Sequence, residues 1–182
     1  MASVRGYDGT TIKLLSEESG LPASSLYWHF GSKDRLLAAA LEHGFAQWGQ
    51  GLAREAPVDT DLAEAVRHWF IRGIEAVVAT PAAWQLGLVL SLQTPADEVE
   101  ARQVFVDLHH RVIDSMADWW MEVLPPRIAD RDLACRLSAS FLAVLDGLYV
   151  AHASAQGWDL EALAERFARG VVAHVRRLEE QL

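Results

Sequence analysis

A short run of hydroxyl, aromatic and basic side chains could bind another macromolecule. It lies between residues 23 and 33 and includes Ser24, Ser25, Tyr27, Trp28 and Lys33. Hydroxyl groups donate and accept hydrogen bonds, aromatic rings cover apolar groups, and a lysine ammonium binds anions. Together these groups fit the base edges and phosphates of a nucleic acid.

The residues before this run predict a first helix that ends in a turn. Thr10 or Thr11 can cap this helix, because a threonine hydroxyl accepts a hydrogen bond from a free N–H of the first turn. Ser19 and Gly20 can end it, because glycine adopts the left-handed conformation of a helix stop without strain.

A second helix follows at once. Pro22 can begin it, and Leu26 and Phe30 lie four residues apart on its inner face, so both are predicted to belong to the core. Two short helices joined by a turn with a glycine form a helix-turn-helix, whose second helix enters the major groove of DNA. The residues expected to read base edges or to line that groove are Ala23, Ser24 and Ser25.

The two outer aromatic residues of the second helix each have two possible roles. Tyr27 can read a base, or it can pack its ring and reach a phosphate with its hydroxyl. Trp28 can cover a thymine methyl group or a sugar, or it can have a structural role against a first helix before Gly6. Ser32 can cap a third helix, whose first turn holds Lys33 where it could bind a phosphate. Further backbone contacts are expected from Thr10, Thr11 and Lys13.

The same region resembles the tetracycline-repressor (TetR) family of bacterial transcription regulators. The resemblance rests on five stretches in fixed order: Gly6–Tyr7, Thr10–Ile12, Ser19–Leu21, Leu26–Phe30 and Ser32–Leu37. It implies an all-helical homodimer with an N-terminal DNA-binding domain and a C-terminal ligand-binding domain. It also implies phosphate contacts for His29 and Lys33.

Two features depart from the family pattern. Pro22 stands where the family usually has serine, so the cap of the second helix differs. The family also has a full helix before Gly6–Tyr7, whereas only Met1 to Arg5 precede that pair here, so the first helix is expected to be truncated. An alternative function therefore stays open, in which the chain is a ligand-binding helical dimer with impaired or no DNA binding.

The spacing of apolar residues predicts an all-α chain. Residues 82–93 are apolar on nearly every side, which is typical of a helix in the interior. A loop at 56–60 favours a boundary nearby, with a helix-turn-helix domain at 1–48 and a helical ligand-binding and dimerisation domain at 49–182. The predicted helices of the body cover Ser32 to about Gln47, 61–79, 82–93, Thr94–Pro95 to Leu124, and two segments after Asp130 and after Gly157–Asp159.

Tryptophans and polar side chains on these helices could line a ligand cavity. Aromatic residues at helical spacing more often form core, but small-molecule sites are also apolar cavities with a few polar groups. The candidate ligand-binding residues are Trp69, Trp84, Gln85, Leu88, Phe105, His109 and Trp119. Adjacent His109 and His110 point about 100° apart on a helix, so they suit a metal poorly. No metal and no cofactor are expected.

The last two helices have more apolar surface than one subunit can cover. In the resembled family the corresponding helices form a four-helix dimer interface, and Asp146–Gly147–Leu148 is similar to a recurring motif there. Small residues such as Ala143, Gly147 and Ala151 would allow close helix approach, although small residues also pack within a subunit. The candidate interface residues are Phe141, Leu145, Leu148, Phe167, Val171 and Val175.

Composition agrees with a small globular regulator. The chain has 182 residues, of which 51% are hydrophobic, and this is enough for a sizeable core. The absence of a signal pattern and of any apolar run near the roughly 20 residues of a membrane span predicts a cytoplasmic protein. Cys135 is the single cysteine, so no intrachain disulfide is possible, and its mostly apolar helical neighbourhood favours an inert thiol.

The net negative charge of the chain argues against a general electrostatic attraction to DNA. The net charge is −9, and residues 1–50 carry four basic side chains against five acidic ones. Affinity for DNA would therefore depend on well-placed phosphate contacts and on the two sites of a dimer.

The sequence has no phosphate-binding loop, dinucleotide-binding turn, zinc-protease helix or nucleophile elbow, which argues against an enzyme. The combined patterns predict a TetR-type regulator, a repressor that binds a palindromic operator as a homodimer and is released by a small hydrophobic ligand. The expected partners are double-stranded operator DNA, a small-molecule effector and a second copy of the chain, with no membrane.

Overall fold

The computed structural model describes residues 2–52, 61–79, 81–92, 100–153 and 159–181. Within these ranges the regular structure is α-helical without strands, which confirms the all-α prediction. The helices are α1 (Ala2–Arg5), α2 (Ile12–Ser19), α3 (Ala23–Phe30), α4 (Lys33–Leu52), α5 (Leu62–Ala79), α6 (Pro81–Leu92), α7 (Glu100–Val123), α8 (Arg131–Ala153) and α9 (Leu160–Glu180). The predicted loop at 56–60, the helix start at Thr94–Pro95 and the turn at Gly157–Trp158 lie outside the described residues.

The chain packs into two compact units. The first contains residues 1–48 and 80–110, and the second contains residues 49–79 and 111–182. The helix-turn-helix therefore shares its unit with α6 and with the start of α7. The division into functional domains at 1–48 and 49–182 stays a prediction, since a compact unit is defined by packing and not by function.

Short-range capping explains where several helices begin and end. The Thr11 hydroxyl accepts a hydrogen bond from the Leu14 N–H, and Gly20 ends α2 with a φ of 71°. The Ser32 hydroxyl accepts from the Arg35 N–H at the start of α4. Each cap satisfies a backbone group that the helix itself leaves unpaired.

Two aspartates cap the last two helices in the same way. The Asp130 carboxylate accepts from the Leu133 N–H at 3.1 Å, and the Asp159 carboxylate accepts from the Ala162 N–H at 3.0 Å. An acid at a helix N-terminus also interacts favourably with the helix dipole.

The first unit has an aromatic core. α4 buries an apolar stripe, whose members are Leu37, Leu41, Phe45 and Trp48. Phe45 stacks on Trp84 of α6 with ring centroids 5.3 Å apart. The backbones of α4 and α6 approach closely, because an added Cβ at Gly44 would lie 2.1 Å from the Ala83 Cβ.

The second unit is organised around α5. The inner face of this helix is buried, with Val66, Phe70, Ile74 and Val77. α5 packs against α8 and α9. The Phe70 ring stacks on the Phe167 ring of α9 at 4.8 Å and meets the Phe141 ring of α8 edge-on at 5.4 Å.

Two helices differ from the prediction. α4 continues to Leu52 instead of ending near Gln47, because a glycine such as Gly49 costs a helix only about 1 kcal/mol and does not have to end it. α6 was expected to be interior on all sides, but Leu92 is 81% exposed. Its unit covers one side of α6, where Trp84, Leu86 and Leu90 are buried.

Among the described helices, α8 is long and apolar enough to cross a membrane by length and composition alone, over residues Arg131–Ala151. A core helix meets the same condition, and the inner side of α8 is buried at Leu137, Phe141 and Leu145.

Candidate nucleic-acid interface

The second helix of the helix-turn-helix, α3, is held between two positive-φ glycines. Gly20 lies before the turn with a φ of 71°, and Gly31 follows α3 with a φ of 77°. The Ser16 hydroxyl donates to the Leu21 carbonyl at 2.5 Å and ties α2 to the turn. Leu26 is buried and anchors α3 on its inner side. These contacts fix which side of α3 faces outward.

The outward side of α3 carries the predicted DNA-binding residues. Ala23 is half-buried at its start, and the exposed side chains are Ser24, Ser25, Tyr27, Trp28 and His29. Trp28 is 88% exposed and Tyr27 is 55% exposed. Large aromatic side chains grouped on one exposed surface are typical of a contact site. The Trp28 and His29 rings lie 6.4 Å apart, so they form one continuous surface.

Pro22 begins α3 without a side-chain cap. The Pro22 carbonyl accepts hydrogen bonds from the Ser25 and Leu26 N–H groups, which starts the helix through the backbone alone. The N-terminal end of α3 is therefore formed without the serine that the TetR family usually has at this position.

The burial of Thr10 contradicts the prediction that this residue contacts the DNA backbone. Its side chain is fully buried, and its hydroxyl donates to the Gly6 carbonyl at 2.7 Å. A side chain with no exposed surface cannot reach a phosphate, so Thr10 fastens the segment between α1 and α2 instead. Thr11 and Lys13 are exposed beside it, and the Lys13 ammonium lies 3.9 Å from the Glu17 carboxylate.

The Lys33 side chain is held by Tyr7, in the segment between α1 and α2. Its ammonium donates to the Tyr7 carbonyl at 2.9 Å and lies 3.6 Å from the centroid of the Tyr7 ring. Burial raises the pKa of the Tyr7 phenol, and the carboxylates of Asp34 and Asp8 raise the pKa further. The ammonium has three donors, so its bond to Tyr7 orients Lys33 and leaves further donors for an anion.

Phe30 does not lie in the core, although its spacing from Leu26 predicted that it would. It is half-buried, and it lines an open groove of about 410 Å³ between α2, α3 and α4. The groove is almost wholly apolar, and its lining residues are Leu15, Ser19, Leu26, Phe30, Leu36, Ala39, Ala40 and His43. Phe30 has neighbours on one side only, which is why its four-residue spacing from Leu26 does not bury it.

A link between α4 and α7 is the feature that sequence reasoning missed. The Asp34 carboxylate accepts from the Glu100 N–H at 2.5 Å and from the Ala101 N–H at 3.2 Å. Next to it, the Arg35 guanidinium lies 3.4 Å from the Glu100 carboxylate. The partners are 65 to 67 residues apart in the sequence. No local pattern signals such a pairing, because Asp34 reads simply as an acid in the first turn of its own helix.

The predicted ligand-binding residues divide between the two units. Trp84, Gln85, Leu88, Phe105 and His109 lie in the first. Three of them meet in the aromatic core, where the Phe105 and His109 rings are 4.2 Å apart and the Trp84 and His109 rings are 6.3 Å apart. The Trp84 indole N–H is buried and has no hydrogen-bond partner within the described residues.

The other two predicted ligand-binding residues meet in the second unit. The Trp69 and Trp119 rings are stacked, with centroids 4.5 Å apart and an angle of 5° between their planes. Trp120 meets Trp119 edge-on at 4.8 Å. The indole N–H groups of Trp119 and Trp120 are buried and without hydrogen-bond partners in the described part of the chain.

The predicted dimer-interface residues are mostly covered by their own chain. Phe141, Leu145, Val171 and Val175 are buried within the second unit, while Leu148 and Phe167 are half-buried. Four of the six side chains therefore have little surface to offer a second subunit. The outward side of α8 instead carries Ala143, Gly147 and Val150, all of which are exposed.

No group of three or more potential metal ligands occurs within the described ranges. Cys135 is a free, half-buried thiol on α8.

Three comparisons bear on what kind of protein this is. Residues 1–40 match the model of the family described as bacterial regulatory proteins, tetR family. The HTH-type transcriptional regulator BetI of Brucella anthropi is 25% identical over 154 residues, which cover 82% of this chain and 74% of that protein.

Solved structures share the fold. The TetR family transcriptional regulator PfmR from Thermus thermophilus aligns with a TM-score of 0.66 at 18% identity, over 92% of this chain and 90% of its own. A possible TetR family transcriptional regulator from Streptomyces coelicolor A3(2) aligns with a TM-score of 0.54 at 16% identity, over 97% and 94%.

The family match covers α1 to α3 and the start of α4, which are the elements that present the exposed aromatic surface. The relative and the shared fold extend the likeness over most of the remaining chain. Residues 1–40 therefore match the tetR family of bacterial regulatory proteins, and the chain as a whole is similar in sequence to a helix-turn-helix transcriptional regulator and in fold to TetR-family regulators.

Proposed function

We propose that the chain is a repressor that binds a palindromic operator as a homodimer and releases it when a small molecule binds the helical body. The observation that carries this proposal is the outward side of α3, where Trp28 is 88% exposed next to Tyr27 and His29. An exposed indole costs solvation free energy that contact with a partner recovers. The major groove of DNA offers such a partner, since thymine methyl groups are apolar.

The other proposed DNA contacts are of two kinds, contacts to base edges and contacts to phosphates. Ala23, Ser24 and Ser25 occupy the first turn of α3, where residues of a recognition helix meet base edges. Thr11, Lys13, His29 and Lys33 are the proposed phosphate contacts, and they fix the register of the protein on the duplex. Thr10 is excluded from this set by its burial.

Dimerisation is proposed through the outward sides of α8 and α9. Ala143, Gly147 and Val150 are exposed on α8, and Gly170 and Ala173 are exposed on α9. An added Cβ at Gly147 or Gly170 would meet no atom within 4 Å. Small exposed residues on two neighbouring helices allow a second helix pair to approach closely. A dimer of this kind would present its two α3 helices to half-sites about 34–36 Å apart.

The effector is proposed to be a small molecule with an apolar body and a hydrogen-bond acceptor. The stacked rings of Trp69 and Trp119 provide apolar surface, and the buried N–H groups of Trp119 and Trp120 provide donors without a partner in the described residues. A buried donor without a partner costs about 1–3 kcal/mol, which an acceptor on the ligand would recover. A second effector site, at Trp84 and His109, is the alternative location. As a regulator that binds DNA, the protein is proposed to act in the cytoplasm.

The experiment that tests the proposal is selection of operator DNA. The purified chain is incubated at low salt with a random duplex library, bound DNA is amplified and sequenced, and affinity is then measured for the selected site. We expect an inverted repeat. Recovery of no enriched sequence, with protein that is folded by circular dichroism, would refute DNA binding by this chain.

Trp28→Ala tests the interface itself. We expect operator affinity to fall about 10- to 150-fold, because burying a large apolar side chain is worth about 1.5–3 kcal/mol. Helicity should not change, since an 88% exposed side chain contributes little packing. Leu92→Ala is the matched control, because it removes another exposed apolar side chain outside the helix-turn-helix. Equal operator affinity for Trp28→Ala and the native chain would remove Trp28 from the interface.

A further inference from the structure

The start of α4 joins two parts of the first unit through consecutive residues. Lys33 binds the Tyr7 carbonyl at 2.9 Å and covers the Tyr7 ring, which ties α4 to the segment between α1 and α2. Asp34 binds the N–H groups of Glu100 and Ala101, which ties α4 to the start of α7. A single turn of helix therefore connects the DNA-binding segment to a helix whose first residue is 66 positions after Asp34.

The Asp34 contact is an N-terminal cap supplied by a different helix. The first N–H groups of an α-helix have no partner within the helix, and a carboxylate placed there binds them with charge-assisted hydrogen bonds. Asp130 and Asp159 cap α8 and α9 from the residues just before those helices. Asp34 does the same for α7 across the fold, with one oxygen on each of two successive N–H groups.

α7 is suited to carry a displacement to this cap. It runs from Glu100 to Val123 and supplies residues to both compact units. In the second unit its side chains Trp119 and Trp120 are buried and form part of the aromatic core. An axial or rotational shift of α7 would pull the Glu100 and Ala101 N–H groups away from Asp34, because hydrogen bonds weaken steeply with distance and angle.

We propose that the cap of α7 by Asp34 is a releasable link that holds the helix-turn-helix in its DNA-binding arrangement. This inference rests on the proposed function, since it assigns the contact between Asp34 and the start of α7 to the operator-binding state. Arg35 is a secondary part of the link, because its pair with Glu100 is largely exposed and screened by solvent. Asp34 touches no DNA in this scheme and acts as a positioning residue.

The test compares Asp34→Ala, Asp34→Asn and the native chain by two measurements. The first is affinity for the selected operator. The second is hydrogen exchange at the N–H groups of residues 100–103, with and without operator. Because coupling between two sites is reciprocal, operator binding should slow exchange at Glu100 and Ala101 in the native chain.

For Asp34→Ala we expect operator affinity to fall about three- to tenfold, which is the low end of typical coupling between sites. Exchange at Glu100 and Ala101 should become fast and no longer respond to operator. Asp34→Asn keeps one oxygen acceptor, so it should lie between the native chain and Asp34→Ala in both measurements. Circular dichroism checks that all variants fold.

Asp130→Asn is the matched control, because it weakens a cap of the same chemistry that belongs to α8 alone. It should speed exchange at the start of α8 and leave operator affinity unchanged. If Asp34→Ala only frays α7 and binds operator as tightly as the native chain does, the link is structural and our inference is wrong, while the proposed function stands. If the native chain binds no selected DNA, the proposed function fails and the inference fails with it.

Discussion

At the residue scale, burial separates side chains that sequence alone groups together. Thr10 and Thr11 are adjacent and chemically identical, but the first is fully buried on the Gly6 carbonyl and the second caps α2 at the surface. The sequence predicts that one of them caps the helix, because capping depends on neighbours within three residues. It does not predict which of them is buried, because that depends on the fold around α1.

The pair of Lys13 and Glu17 gives a prediction at this scale. The two side chains lie one turn apart on exposed α2, so the carboxylate competes with a phosphate for the ammonium. Glu17→Gln should raise operator affinity about two- to fivefold at low salt, which is the range of an exposed ion pair. The gain should shrink as salt is added, since exposed charges are screened.

Operator affinity measured across a salt series checks this expectation. Glu122→Gln is the matched control, because Glu122 is an exposed acid of α7 and its loss changes net charge equally. An equal gain from both variants would mean that total charge, and not the neighbour of Lys13, sets the affinity.

At the element scale, helix existence follows from local pattern while helix packing does not. Apolar spacing correctly predicts the helices α5 and α6, and turn residues correctly predict the end of α2. Two predictions are wrong: α4 continues to Leu52 instead of ending near Gln47, and Leu92 on α6 is exposed instead of interior. Both depend on which neighbours cover a helix, and one sequence does not specify those neighbours.

The crossing of α4 and α6 gives a prediction at the same scale. Gly44→Ala places a methyl group 2.1 Å from the Ala83 Cβ, and neither side chain can rotate away. The helices must separate, so we expect a loss of about 1–3 kcal/mol in the free energy of unfolding. Denaturant titration followed by circular dichroism measures it.

Gly49→Ala is the control on the same helix, because an added Cβ there meets nothing within 4 Å. Alanine is a better helix former than glycine, so this change should stabilise the chain by about 0.5–1 kcal/mol. Destabilisation by Gly49→Ala as large as that by Gly44→Ala would show that the contact with Ala83 is not the cause.

At the scale of the whole molecule, the proposed dimer accounts for surface that one chain leaves uncovered. Most of the interface residues expected from the sequence are buried by α5, α8 and α9 of the same chain. The sequence predicts that the last two helices are strongly apolar, but it does not separate the side that packs inward from the side that remains exposed. That distinction requires the position of α5.

Gly147→Glu tests the proposed dimer interface. The new side chain points into open space in the single chain, so the fold should be kept. In a dimer that pairs through α8, two carboxylates would be buried without partners, and we expect monomers. Sedimentation velocity measures the oligomeric state. Ser115→Glu adds the same charge at an exposed position of α7 and should leave the oligomeric state as it is. A Gly147→Glu dimer would rule out α8 as the interface.

The apolar groove between α2, α3 and α4 also bears on how the protein responds to heat. Leu15, Phe30 and Leu36 line it without being fully buried, so this part of the fold gains less from apolar burial than the aromatic cores do. Regions with few buried apolar contacts open at lower free energy than the rest of a protein. We therefore expect α3 to loosen first on warming, and the proposed DNA binding to be lost at a temperature where the other helices are still intact.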